Sequence, residues 1–401
     1  EWGTAPIHSL RINLLPLSKE SSRRLVQEIL QKVTEIPTAL TDLIVEKAEG
    51  SPFYVEELIK VLIDKGVITR GEERWQVDME QLSDLRVPAT LTGLLQVRLD
   101  SLNPNIRETL QQASVVGRIF WTSVVERMQN PEKPGVGMEI PIDDRLRPLR
   151  AKEFIFEYGD LKTSQLPEFI FKSAILHDVT YESVLLRLRR AYHLQAAEGL
   201  IEIWGERVTQ YAGRVGEHYE HAGELLRAAE WYARAGRQAQ STYEPNAAIH
   251  YYHKALEFLS PSVNQDLIPL QLDVHSHLGE VLNWQARYTD AVDTYKEMLH
   301  IAQGHGDGIA QSRALQGLAT ALSYRGHHNA ALESAIQAES LAEGANARME
   351  LAKAIWTEGS IRYRLGEPRA ALSLGEQALK ITTELDNPNE MARSLNLLGA
   401  A

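Results

Sequence analysis

Near its C-terminus the chain repeats itself at a fixed offset of 40 residues, and few folds tolerate such a repeat. Leu278-Gly279-Glu280-Val281-Leu282 through Tyr288-Thr289-Asp290-Ala291 aligns with Leu318-Ala319-Thr320-Ala321-Leu322 through His328-Asn329-Ala330-Ala331. Both align with Glu358-Gly359-Ser360-Ile361 through Pro368-Arg369-Ala370-Ala371, and a fourth copy begins at Leu395. In each full copy a small residue (Gly279, Ala319, Gly359) precedes an alanine (Ala291, Ala331, Ala371) by 12 positions. Two antiparallel helices approach closely where both backbones carry small side chains, and larger neighbours such as Leu282, Leu322 and Tyr295 fill the space beside them. Short turns at Ala286-Arg287, Arg325-Gly326 and Leu365-Gly366-Glu367 reverse the chain. One such pair cannot cover its own apolar face, so the pairs must stack.

Over about 271–401 this pattern resembles the tetratricopeptide repeat. The 40-residue period exceeds the family's usual ~34, which predicts longer loops between pairs, at Gly304-His305-Gly306-Asp307-Gly308 and Gly344-Ala345-Asn346. In the third copy Glu358 and Arg362 stand at usually apolar positions, four apart with the acid first, a spacing that pairs along a helix. Gly236, Ala248, Tyr252 and Ala255, with Pro245 in a first turn, extend a weaker form of the pattern back to about 207.

The N-terminal part predicts helices over 18–65. Ser18 caps the first, the second runs to about Glu49, and Gly50-Ser51-Pro52-Phe53 makes a sharp corner into the third. Val67-Ile68-Thr69 and Trp75-Gln76-Val77 flank a turn and predict a small hairpin. Helices are expected at 104–115, 121–129 and 142–152, then two strands, Phe154-Ile155-Phe156 and Phe169-Ile170-Phe171: the order of a winged helix. Pro131 to Gly137 reads as a loop, and a long helix over about 181–203 leads into the repeats.

Leu14-Leu15-Pro16-Leu17-Ser18, Glu49-Gly50-Ser51-Pro52-Phe53-Tyr54-Val55-Glu56-Glu57-Leu58, Arg98-Leu99-Asp100-Ser101-Leu102 and Ala113-Ser114-Val115-Val116-Gly117-Arg118-Ile119-Phe120 together resemble the STAND signal-transduction ATPases. The likeness is greatest to the bacterial predicted ATPases fused to class III adenylate/guanylate cyclase or kinase domains. Phe169 to His193, with Tyr181 and Arg190, is similar to the segment that follows their winged helix. The fold expected is mostly α: a helical lid and a winged-helix domain followed by a right-handed tetratricopeptide-type superhelix. Its divisions are 1–100 (end of the NTPase module, lid and hairpin), 101–180 (winged helix), 181–270 (linker and degenerate repeats) and 271–401 (repeats). The first residue is Glu1 and the last four lie in a helical pattern, so an excised piece is expected, with the P-loop core upstream.

Composition excludes several chemistries. The chain has no cysteine, hence no disulfide, thiolate zinc or thiol catalysis, which fits a cytoplasmic location. No apolar run approaches the ~18 residues of a membrane span. Net charge is −12, and both halves are acidic, which opposes direct nucleic-acid binding. There is no Gly-Lys dipeptide and so no phosphate-cradling P-loop. Ile140-Pro141-Ile142-Asp143-Asp144 only mimics a Walker B strand, because proline inside it signals a helix start or a loop. No catalytic or metal residues are expected. His218/His221 and His250/His253 have i,i+3 spacing without a third ligand.

The family resemblance implies that Gly50-Ser51-Pro52 touches the adenine of ATP or ADP, with magnesium, in a longer parent. It also implies a winged-helix histidine near the phosphates. Ser173 stands at that position and His177-Asp178 one turn later, so the chain departs from the family's sensor histidine and His177 reads as a surface or packing residue. The better site candidate is the inner face of the repeats. Mapping the first helix of each pair gives Asn283, Trp284, Arg313, Tyr324, Trp356, Tyr363 and Arg364, aromatic and arginine side chains of the kind a protein or peptide partner uses. The leading function is a sensor relaying a bound protein signal to an upstream ATP switch and an effector such as a nucleotide cyclase. The alternative is part of a large ATP-binding transcription regulator.

Overall fold

A computed structural model describes residues 13–84, 87–129, 141–159, 166–259 and 265–401, so the loop expected at 131–137 and Ile140 lie outside the described residues. The described residues are 76% helical. It divides into two compact units, Glu1–Tyr192 and His193–Ala401.

The first unit begins with α1 (Lys19–Ile29), α2 (Thr38–Ala48) and α3 (Pro52–Asp64). Ser18 and Ser51 accept hydrogen bonds from the N–H groups of Ser21 and Tyr54, satisfying two donors that the helix starts leave free. Glu49 and Gly50 take left-handed backbone angles (φ 45° and 80°) to turn the chain from α2 into α3. A Cβ on Gly50 would lie 2.5 Å from the Leu17 carbonyl oxygen, so the corner needs glycine for space as well as for conformation. β1 (Ile68–Thr69) and β2 (Gln76–Val77) form the antiparallel hairpin, followed by α4 (Met79–Asp84) and α5 (Leu91–Asp100). Val26, Leu30, Leu40, Ile44, Leu58 and Leu62 centre their common core.

α6 (Pro104–Val116), β3 (Ile119–Trp121), α7 (Thr122–Gln129), α8 (Ile142–Ala151), β4 (Ile155–Tyr158), β5 (Glu168–Phe171) and α9 (Ala174–Glu182) complete the unit. The sheet has three strands in the order β3-β5-β4, all antiparallel, where the sequence pointed to two. Three residues are too few to show alternation, yet Phe120 stacks on Phe169 and meets Phe171 edge-on. Pro141 precedes the first turn of α8, so Ile142-Asp143-Asp144 starts a helix. The long helix expected from 181 is broken. Residues 183–185 turn, with Gln111 donating to the Ser183 hydroxyl at 2.9 Å, and α10 (Leu186–Trp204) starts afresh.

The second unit continues from α10 through a 3-10 turn (Gly205–Tyr211), α11 (Ala212–Ala222), α12 (Leu225–Ser241) and α13 (Pro245–Leu259). The regular pairs are α14 (Ile268–Trp284) with α15 (Tyr288–His305), α16 (Gly308–Tyr324) with α17 (His328–Gly344), and α18 (Arg348–Arg364) with α19 (Pro368–Glu384), ending at α20 (Pro388–Ala400). This is an α-superhelical repeat fold.

The period is absorbed by the helices, contrary to the expected loops. The helices of the pairs are 17 or 18 residues long, and Gly304, His305 and Gly344 belong to their last turns. A Cβ at Gly304 or Gly344 would meet nothing within 4 Å, so glycine sits there in open space without ending the helix early. Asp307 caps α16 by accepting from the Ala310 N–H.

The close approaches run through tyrosines. A Cβ would lie 2.9 Å from the Tyr232 ring at Gly216, 2.4 Å from the Tyr252 ring at Gly236, and 2.4 Å from the Tyr295 ring at Gly279. Each tyrosine follows its glycine by 16 residues. Tyr295 is also overlain by Gly317 of the next pair, where a Cβ would lie 2.2 Å away. Later pairs use small residues instead, Ala319 with Ala335 and Gly359 with Gly375 at the same spacing, and Leu397 covers Gly359. The Glu358–Arg362 pair forms at 2.6 Å, with Glu358 buried. Burial, with Glu358 beside it, raises the pKa of Glu339 on α17.

Candidate functional site

The first helices of successive pairs touch one another directly, α14 on α16, α16 on α18 and α18 on α20, and so form one continuous row. Polar side chains tie the row together. Arg313 on α16 reaches Glu350 on α18 at 2.8 Å, and Gln316 donates to the Glu350 carbonyl at 3.1 Å. Upstream, Arg237 on α12 pairs with Asp273 on α14 at 2.7 Å. His277 lies between Asp273 (3.4 Å) and Glu280 (3.7 Å), and these carboxylates hold its pKa up at about 9.

Toward α20 the row opens into a cavity of about 310 Å³. Tyr324, Trp356, Tyr363 and Arg364 line it, with Ser360 and Asn396 among the polar groups. The Arg364 guanidinium lies 3.8 Å over the Tyr324 ring, whose other neighbour is Tyr288, stacked at 5.0 Å between centroids and 4° between planes. Delocalised cation and ring thus hold each other in place while leaving Tyr324 51% exposed. The Trp356 indole donates to the Arg393 carbonyl at 3.0 Å, so part of this tryptophan serves the next helix.

Of the residues picked from sequence, Tyr324, Trp356, Tyr363 and Arg364 come together here. Asn283, Trp284 and Arg313 do not line the cavity. Trp284 is 62% exposed at the end of α14, and the Arg313 charge is taken by Glu350. Sequence reasoning missed the helix-20 wall, Asn396, Leu397 and Ala400, because only a fraction of the fourth copy is present to align.

The other candidates are committed elsewhere. Ser51 spends its hydroxyl on the cap of α3, and Ser173 does the same for α9. His177 bonds Asp178 at 2.9 Å and the Ser114 carbonyl at 3.0 Å and packs edge-on against Phe171. His218 does meet a third histidine: its Nδ1 lies 2.9 Å from that of His193, whose ring is also 4.7 Å from His221. Spacing did not show this because His193 comes from α10. Among the described residues no group of three His, Cys, Asp or Glu side chains is arranged to hold a metal. Burial, with the neighbouring imidazoles and Arg214, keeps His218 neutral well below the usual histidine range.

The stretches 49–58 and 98–102 carry a charge cluster that sequence reading did not foresee. Arg98 and Glu57, 1% and 0% exposed, pair in the core of the first unit, and Arg98 also donates to the Lys152 carbonyl at 2.6 Å and lies over Phe154. Lys60 and Lys172 reach Glu56, Glu57 and Glu153. The motif residues at 56–57 and at 98 are thus partners across 41 positions.

Residues 18–74 match a family described only as a domain of unknown function (DUF8739). No curated protein matches the chain. Among solved structures, the chain is similar to a Rap protein complexed with competence and sporulation factor, at 17% identity and a TM-score of 0.40 over 57% of this chain and 64% of that one. It is similar to aspartyl phosphate phosphatase F from Bacillus subtilis at 13% and 0.42, over 74% and 79%. A STAND protein with a tetratricopeptide repeat sensor from Pyrococcus horikoshii matches at 14% and 0.35, over 96% of this chain and 57% of that one. The matches span less than two-thirds of the Rap and STAND chains. Likenesses this distant carry no argument about function. No described helix is long and apolar enough to cross a membrane.

Proposed function

We propose that the chain is the sensor and relay part of a STAND-type regulator, capturing a segment of a protein partner in the row of first helices and passing the event to an upstream ATP switch. The observation that carries this is the cavity walled by Tyr324, Trp356, Tyr363 and Arg364. It offers planar apolar surface, one stacked cation and polar groups for orientation, which is what a peptide anchor needs. The order α6-β3-α7-α8-β4-β5 supports reading residues 101–180 as a winged helix, and the three-helix core before it as a lid. On this reading the chain itself is not an enzyme, works in the cytoplasm, and serves an effector such as a nucleotide cyclase.

The fit to ATP is partial. Of the corner, Gly50 is buried beneath Leu17 and Ser51 caps α3, which leaves exposed Pro52 for a base, and the chain has no phosphate-cradling loop, so magnesium and the phosphates would be held by residues outside these 401. Relay requires that the partner bind the two switch states unequally.

A peptide-display selection against the whole chain tests the reading. Selected peptides should bind the wild type and lose at least about tenfold affinity with Tyr324→Ala or Arg364→Ala, at an unchanged melting temperature. Peptides whose binding is indifferent to both substitutions would remove the groove from the account.

A further inference from the structure

A second cavity, of about 630 Å³, lies in the first unit between α1, α3 and the β1–β2 hairpin, and its size suits a small molecule. Leu25 and Ile29 from α1, Phe53, Ile59 and Ile63 from α3, and Trp75 beside the hairpin make its apolar wall. The Trp75 backbone N–H donates to the Lys32 carbonyl at 2.9 Å, which ties the chain just before β2 to the segment that follows α1.

The charges around this wall are unevenly satisfied. Glu56, Lys60 and Glu153 line one end and belong to the compensated cluster, in which Glu56, Glu57 and Glu153 face Lys60, Lys172 and Arg98. Arg70 also lines the cavity. Its guanidinium carbon sits 5.1 Å over the Trp75 ring, and among the described residues no carboxylate lies within ion-pair distance of it. Glu72 and Glu73, in the same turn, make no ion pair with it. The uncompensated charge on the cavity is therefore one cation, next to an aromatic ring and a broad apolar face.

We propose that this cavity binds a small amphipathic anion: a molecule with a flat or aliphatic apolar body and a single acidic group. The body lies along Phe53, Ile63 and Trp75, and the acid pairs with the Arg70 fork, which matches planar oxyanions. Polyphosphates do not fit this chemistry, since Lys60 is already engaged by three carboxylates and a single guanidinium remains. The site is separate from the repeat groove and does not depend on it.

The test titrates the full chain with 1-anilinonaphthalene-8-sulfonate and with N-phenyl-1-naphthylamine, the same apolar body without the acid. The sulfonate should bind at one site, about tenfold more tightly than the neutral amine, with fluorescence transfer from tryptophan. Arg70→Ala, at an exposed hairpin position, should bring the sulfonate down to the level of the amine without changing the melting temperature. Ile63→Glu should abolish both, Tyr324→Ala should alter neither, and ATP should not compete. Equal binding of the two dyes, insensitivity to Arg70→Ala, loss with Tyr324→Ala, or displacement by ATP would each overturn the proposal.

Discussion

Gly317→Ala should change sign according to what stands at position 295. In the wild type a Cβ at Gly317 would lie 2.2 Å from the buried Tyr295 ring, inside any tolerable contact, so α15 and α16 must move apart. Overpacking of this kind costs ~1–3 kcal/mol, and the severity of the overlap puts it at the upper end. Removing glycine from a helix interior returns about 1 kcal/mol, leaving a net loss of about 2 kcal/mol. Tyr295→Ala alone should cost ~3–5 kcal/mol by leaving a cavity between two glycines. In that background Gly317→Ala meets no ring and should stabilise by about 1 kcal/mol, a coupling of about 3 kcal/mol. Urea unfolding followed by circular dichroism, on the wild type, both single variants and the double variant, measures the cycle. An equal cost of Gly317→Ala in both backgrounds would refute the packing argument.

Three further outcomes follow from the structure. The second unit should lose stability as pH falls from about 6.5 toward 4: burial lowers the pKa of His275 to about 4, and those of His218 and His253 below the usual value, so folding favours the neutral rings. His275 alone accounts for about 3 kcal/mol at pH 4, and His275→Leu should flatten the acid limb of a plot of melting temperature against pH. Arg98→Met should destabilise the first unit by about 3 kcal/mol, the low end for breaking a buried pair because Lys60 and Lys172 still face Glu57, and denaturant melts check it. Calorimetry with ATP should give no binding tighter than millimolar, and a micromolar dissociation constant would place a phosphate site inside the chain.

What the sequence disclosed depended on how local each signal was. Caps at Ser18 and Ser51, the corner at Gly50 and the 12-residue glycine–alanine spacing are contacts along one helix or one pair, and spacing exposes them. The extra length of the period was misplaced because Gly304, Gly306 and Gly308 together look like a loop, whereas only Gly306 has a positive φ. The 16-residue glycine–tyrosine spacing was in plain view and would have identified Tyr232, Tyr252 and Tyr295 as wedges, not groove residues. The Glu57–Arg98 pair and the His193–His218 contact join residues on different helices, and no periodicity reports such pairings. The groove was partly legible for a similar reason: a 40-residue offset aligns Tyr324 with Arg364, while the α20 wall lies in an incomplete copy.

The most direct test of the sensor reading is amide hydrogen exchange on the whole chain with and without a display-selected peptide. Added protection should fall on α16, α18 and α20, around Tyr324, Trp356, Tyr363 and Arg364, and should disappear with Tyr324→Ala. Protection confined to α15, α17 and α19, or retained in full by that variant, would contradict the claim that the row of first helices is the binding face.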